Sequence, residues 1–214
     1  MPRQKSTAPA RTTYRHGDLR RALLEAGVAL AEAGGPTAVV LREATRRAGV
    51  VPNAAYRHFE SHLDLLKAVR FVAMSRLAAS METELAAVGN NLSATEFARA
   101  SLRAVGIGYL RFAFDHTGLF RTIFAVPHDW PGPAGPERTD KSGLNPFQLL
   151  GVALDRMVDA GVLPKERRPH AEFLAWSAVH GYSRMVIEGP LHGLPRPQVD
   201  ALGRRVVEMV EKGL

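Results

Sequence analysis

The sequence predicts an all-α fold of about nine helices, with a small three-helix unit ahead of a larger helical one. Three observations carry this. Apolar residues recur at three- and four-residue spacing, no segment alternates apolar and polar residues as a half-buried strand does, and Gly, Pro and Asn clusters punctuate the chain at helix-length intervals. The 214 residues are 46% hydrophobic and 23% charged, which allows a sizeable core and excludes global disorder.

The first helix runs from Asp18, a good N-cap, to Ala33, where Gly34-Gly35-Pro36 stop it. The second covers Leu41 to Ala48 and ends at Gly49, suited to a left-handed turn. The third opens on Pro52 and ends near Phe59. The fourth follows the N-cap Ser61 and reaches Val88, a length of about 40 Å at the α-helical rise. Ser93-Ala94-Thr95-Glu96 is a capping box for the fifth, which continues to Asp115, and a short sixth spans Gly118 to Ala125. Residues 127–143 are Pro- and Gly-rich, a loop too long for a simple connector. Asn145-Pro146 opens the seventh, which ends at Gly161; the eighth spans Pro169 to Glu188 and the ninth Pro197 to Lys212. The expected organisation is a basic arm over 1–17, a small unit over 18–65 and a large one over 66–214.

The formal charge is +7, and two short stretches account for all of it. Residues 1–17 carry Arg3, Lys5, Arg11 and Arg15 with no acid, and residues 41–58 carry Arg42, Arg46, Arg47 and Arg57 against Glu43 alone. A surplus so localised points to an anionic partner. The absence of cysteine excludes a disulfide scaffold, a thiolate zinc site and a cysteine nucleophile, and fits a reducing compartment. No run of apolar residues is long enough to span a membrane and the N-terminus lacks a secretory h-region, so a soluble, cytoplasmic protein without a membrane partner is expected.

The informative stretch is Leu41 to Phe59. Two short helices flank a tight turn at Gly49-Val50, and the second is too short and polar for a core helix. Pro52, Asn53, Ala54, Tyr56 and Arg57 present small, polar and cationic groups at its start, as a helix entering a major groove does. An ordinary helical hairpin has the same spacing.

Ala48-Gly49-Val50, Tyr56-Arg57-His58-Phe59, Ser61 and Leu65-Leu66 together resemble the TetR/AcrR family of bacterial transcriptional regulators. Trp176-Ser-Ala-Val-His180-Gly181 is similar to the Trp…His-Gly signature of one C-terminal domain type in that family. The resemblance implies a homodimer on a double-stranded DNA operator. Arg42 would reach a guanine, Pro52, Asn53 and Ala54 would face base edges, Tyr56 would bond a phosphate, and His58 would sit against the backbone or hold the turn. Phe59 reads as core, and Tyr56 has a half-buried core ring as its alternative. His62 stands where the family usually has a phosphate-contacting Lys, and Val51 where a Ser or Thr cap is common. Arg15, with Arg11 and Tyr14, lies in an arm that is either solvated or laid into a minor groove.

The resemblance also implies a ligand pocket in the larger unit. Phe71, Met74, Tyr109, Phe112, Phe124 and Phe147 are its candidate lining, each also readable as plain core. Gly106 and Gly108, inside an otherwise good helix, would leave room, and Trp130 in the long loop would belong to a lid. Arg103, Tyr109 and Arg111 would supply polar groups, favouring a mostly apolar or amphipathic small-molecule effector. The eighth helix, apolar nearly all round, and the ninth would form a four-helix interface between subunits through Trp176, His180, Gly181, Arg184, Leu202, Val206 and Met209. His58 and His62 stand four apart, near metal spacing, but the motif explains the pair, and no catalytic set, metal site or cofactor is expected. The expected function is a repressor released from its operator by an effector; the alternatives are a ligand-independent DNA-binding protein and a helical carrier or enzyme.

Overall fold

The computed structural model describes residues 16–125 and 142–214, and among these it has nine α-helices, two short 3-10 turns and no strand. The helices are α1 (His16–Gly34), α2 (Leu41–Ala48), α3 (Pro52–Ala55), α4 (His62–Ala86), α5 (Ala94–Asp115), α6 (Thr117–Phe124), α7 (Pro146–Asp159), α8 (Ala171–Ile187) and α9 (Arg196–Gly213). Their starts follow local chemistry. The Ser61 hydroxyl accepts from the Asp64 amide, and Ser93 with Glu96 and Asn145 with Gln148 both close capping boxes. The expected third helix is corrected: regular helix stops at Ala55, and residues 56–58 form a turn. The arm with Arg15, and the loop with Trp130, lie outside the described residues. No helix among them is long and apolar enough to cross a membrane.

Helices α1 to α3 close over the start of α4 around Leu23, Val39, Ala44, Ala55, Phe59 and Leu65, each at most 2% exposed. The larger core centres on Phe112, Leu119, Phe120, Ile123, Leu154 and Met157. Of the two glycines expected to leave room, Gly106 lines an interior cavity and Gly108 does not. They let neighbouring helices approach: a Cβ on Gly108 would lie 2.5 Å from the Met81 Cα, and one on Gly106 would lie 2.9 Å from a Val207 methyl. A small-residue face here exchanges side-chain volume for backbone contact between α5 and α4.

Helix α6 joins the two units. At its N-terminus Gly118 rests on the end of α1, where a Cβ would come within 2.1 Å of the Ala31 carbonyl oxygen. Beside it Glu32 of α1 meets His116 Nδ1 at 2.9 Å and Arg76 of α4 at 3.7 Å. At the other end of α6 the Ile123 carbonyl accepts a 2.9 Å bond from Nε of Arg70, a buried residue of α4. A guanidinium at a helix C-terminus also meets the negative end of its dipole.

Candidate nucleic-acid interface and interior cavity

Helix α2 ends where Gly49 adopts φ 68° and ψ 29°, a left-handed conformation costly to a residue with a Cβ. The Val50 amide bonds the Thr45 carbonyl at 3.1 Å, and half-buried Val50 fills the corner before α3. The sharp corner lifts the start of α3 off the small core. Asn53, Tyr56 and Arg57 are consequently exposed, Tyr56 at 57%, so Tyr56 is not a core ring. Phe59 is buried, with the Arg20 guanidinium 5.1 Å from its ring centre. Ala54 and His58 are half-buried and His62 is exposed. Both N-caps here, Val40 and Val51, are exposed valines with no side-chain cap.

The arginines of this stretch divide into two sets. Arg46 and Arg47 both reach Glu43, at 2.6 and 3.5 Å, and the Arg46 hydrogen bond holds the Glu43 carboxyl down at about 2. Arg42 and Arg57 are exposed with no ion pair among the described residues. Arg42, Asn53 and Tyr56 therefore present exposed polar ends on the small unit.

The larger unit encloses a cavity. Met74, Leu77 and Met81 of α4 line it, with Leu102, Val105 and Tyr109 of α5. Phe124, Phe147, Ala175, Trp176, Val179 and Val207 complete most of the wall. It is narrow, about 40 Å³, room for roughly three water molecules, and its surface is almost wholly apolar. The Tyr109 hydroxyl is its main polar feature. That hydroxyl accepts from Trp176 Nε1 at 3.1 Å and lies 2.9 Å from His180 Nδ1, to which it donates its proton when that nitrogen is the bare one of the imidazole. Burial raises the Tyr109 pKa well above the usual phenol range, so the hydroxyl keeps its proton. Burial, then Arg184, lowers the His180 pKa, which favours the neutral imidazole able to accept that proton. The His180 ring stacks among Phe124, Phe120 and Trp176 at 4.5, 5.7 and 5.7 Å between centres.

Of the expected lining, Met74, Tyr109, Phe124 and Phe147 face this cavity. Phe112 is buried in the core and Phe71 is half-buried away from the wall. Arg103 is turned away: with Arg99 it pairs with the buried carboxylate of Glu211 on α9, the Arg99 contact being 2.6 Å. Arg111 pairs with Glu84 on the outside of α4. The Glu211 clasp was missed although its signal was present, since Arg99 and Arg103 stand one turn apart and Glu211 continues the buried stripe of α9.

Trp176 and His180, expected at a subunit interface, turn inward instead; the correction follows from their bonds to Tyr109. The outward face of α8 carries Phe173, Leu174 and Met185, with Gly181 open and Arg184 paired to Glu188 at 2.6 Å. On α9 Met209 is 61% exposed, whereas Leu202 and Val206 are half-buried against the core. Among the described residues no cluster of three or more His, Asp or Glu could hold a metal ion.

Residues 23–69 match the profile of bacterial regulatory proteins of the tetR family, and residues 102–210, about half of the chain, match the tetracyclin repressor-like C-terminal domain. The chain belongs to the TetR family. It is a DNA-binding transcriptional regulator by its domains, and the small unit is the family's helix-turn-helix. Among solved structures, a TetR-like fold is shared with a protein of unknown function from Rhodococcus sp. RHA1, 26% identical, covering 95% of this chain and 99% of that one at a TM-score of 0.73. The TetR family regulator PfmR from Thermus thermophilus is 19% identical over 90% of this chain and 98% of its own, at 0.54. FadR from Bacillus subtilis, in complex with stearoyl-CoA, is 15% identical over 91% of this chain and 98% of its own, at 0.56; both likenesses are of fold. No curated protein matches the chain.

Proposed function

We propose that this TetR-family chain acts as a homodimeric repressor whose hold on a palindromic operator is released by a small molecule in the interior cavity. The observation that carries the reading is the placing of α6. Its last residue, Phe124, lines the cavity, and its first turn bears on the carbonyls that end α1. The cavity is too small for most ligands as it stands, so an occupant must part its walls. Parting them moves α6 at one end and α4 through Met74 and Arg70 at the other. Both motions tilt the small unit. Release requires that the ligand bind the tilted state better, since equal affinity for both states shifts nothing.

On the DNA, Arg42 donates to a guanine, Asn53 reads an adenine edge and Tyr56 bonds a phosphate, with Pro52, Ala54, Arg57 and His58 around them and His62 as a weak substitute for a cationic contact. The second subunit docks on the outward face of α8 and α9 at Leu174, Gly181, Met185 and Met209, which supports four-helix packing. The FadR complex with stearoyl-CoA offers a precedent for a ligand in this fold.

The test is selection of bound duplexes from a random pool by the full chain. The expected product is a palindrome with half-sites about one DNA turn or slightly more apart. Arg42→Ala then weakens binding by about 1–3 kcal/mol and relaxes one base position, while Tyr56→Phe weakens all sequences alike. No enrichment, or a mass measurement showing only monomer at micromolar concentration, defeats the proposal; binding indifferent to every ligand favours the ligand-independent alternative.

A further inference from the structure

Among the described residues, each polar side chain found at the cavity wall is already held by another part of the protein. The Tyr109 hydroxyl accepts from Trp176 and shares a 2.9 Å hydrogen bond with His180 Nδ1. The arginines of α5 are occupied elsewhere, Arg99 and Arg103 by Glu211 and Arg111 by Glu84, and Arg76 of α4 reaches Glu32. A carboxylate or ammonium carried into this space would lose its water and gain no charged side-chain partner among the described lining residues. The yielding parts of the wall are Met74 and Met81, whose unbranched side chains reshape at small cost.

We infer that the cavity takes an uncharged, hydrocarbon-rich small molecule whose buried part forms no hydrogen bond with the protein. The location rests on the effector reading above; the chemistry rests on the closed Trp176–Tyr109–His180 relay and the diverted arginines. Affinity in such a site comes from apolar surface removed from water, and it grows with each methylene added until the space is filled.

Isothermal titration of the full-length protein with 1-hexanol, 1-octanol, 1-decanol and sodium decanoate at pH 7.4 tests this. The expected result is a gain of roughly fourfold per methylene along the alcohols, with decanol at least about tenfold tighter than decanoate. Decanoate binding as tightly as decanol, or no alcohol binding at all, overturns it. Tyr109→Phe leaves the Trp176 N–H and the His180 nitrogen without their shared partner, so the handicap of decanoate is expected to shrink; an unchanged ratio overturns the role given to the relay. Ala175→Phe, or the milder Ala175→Leu should the first fail to fold by circular dichroism, fills the wall and is expected to weaken decanol at least about tenfold; full retention places the ligand elsewhere and overturns the assignment. Release of the selected operator is read separately. Decanol that binds without releasing DNA defeats the effector reading and leaves the ligand chemistry standing, whereas release by decanoate with no preference for decanol does the reverse.

Discussion

The exposed surface of the helix-turn-helix and the interior of the large unit treat polar groups in opposite ways. On the first, Arg42, Asn53 and Tyr56 stand exposed, their polar ends open to solvent. In the second, the hydroxyl, the indole N–H and the imidazole close on one another. An open polar surface recognises a charged, hydrogen-bonding ligand such as duplex DNA, while a closed one selects by exclusion. The same contrast separates function from stability. Side chains of the exposed face contribute little to folding, and those around the cavity contribute much.

The largest expected effect comes from Phe120→Ala. This ring is 1% exposed and meets Tyr109, Phe124 and His180, so its removal should cost about 3–5 kcal/mol of unfolding free energy in urea titration. Tyr56→Phe should stay within about 0.5 kcal/mol in the same titration, despite its effect on DNA. A comparable cost at both sites would erase the contrast. Next, Val51→Ser supplies the cap that α3 lacks and should raise stability by about 1 kcal/mol, seen as a higher urea midpoint at unchanged slope. The smallest effect is a pH dependence. Because the folded pKa of His180 lies below its ordinary value of 6.5, the unfolded chain takes up a proton first as pH falls. That contribution is whole above pH 6.5 and is lost on acidification below it. His180→Gln should therefore narrow the gap between the melting temperatures at about pH 7.5 and about pH 5; an unaltered gap would mean that the imidazole is not held neutral.

What could be read from the chain alone follows the range of the interactions involved. The helix-turn-helix is written within one short stretch: a left-handed glycine, a proline opening and a fixed spacing to Tyr56 and Phe59. Each is a local rule, and Gly49, Ser61, Ser93 and Asn145 hold the positions those rules assign. The cavity is assembled from α4 to α9, and the side to which a residue points depends on packing between distant segments. Trp176 and His180 show the difficulty. On a helix that is apolar almost all round, periodicity cannot distinguish the face toward Tyr109 from the face toward solvent. Arg103 and Arg111 failed as pocket residues for the related reason that their acids, Glu211 and Glu84, lie on other helices. The glycines show a third difficulty, because an absent side chain reads equally as space or as contact: Gly106 borders the cavity, while at Gly108 another helix fills the gap.

Gly118 carries a consequence for how such a protein can diverge. Its α-hydrogen is all that separates α6 from the end of α1, so a single added methyl would wedge the two modules apart with no ligand present. On the proposed release mechanism, substitution at this position yields a regulator stuck in one setting, with neither its proposed base contacts nor its cavity altered. If that proposal holds, the reading surface and the cavity can diverge independently provided this position stays bare.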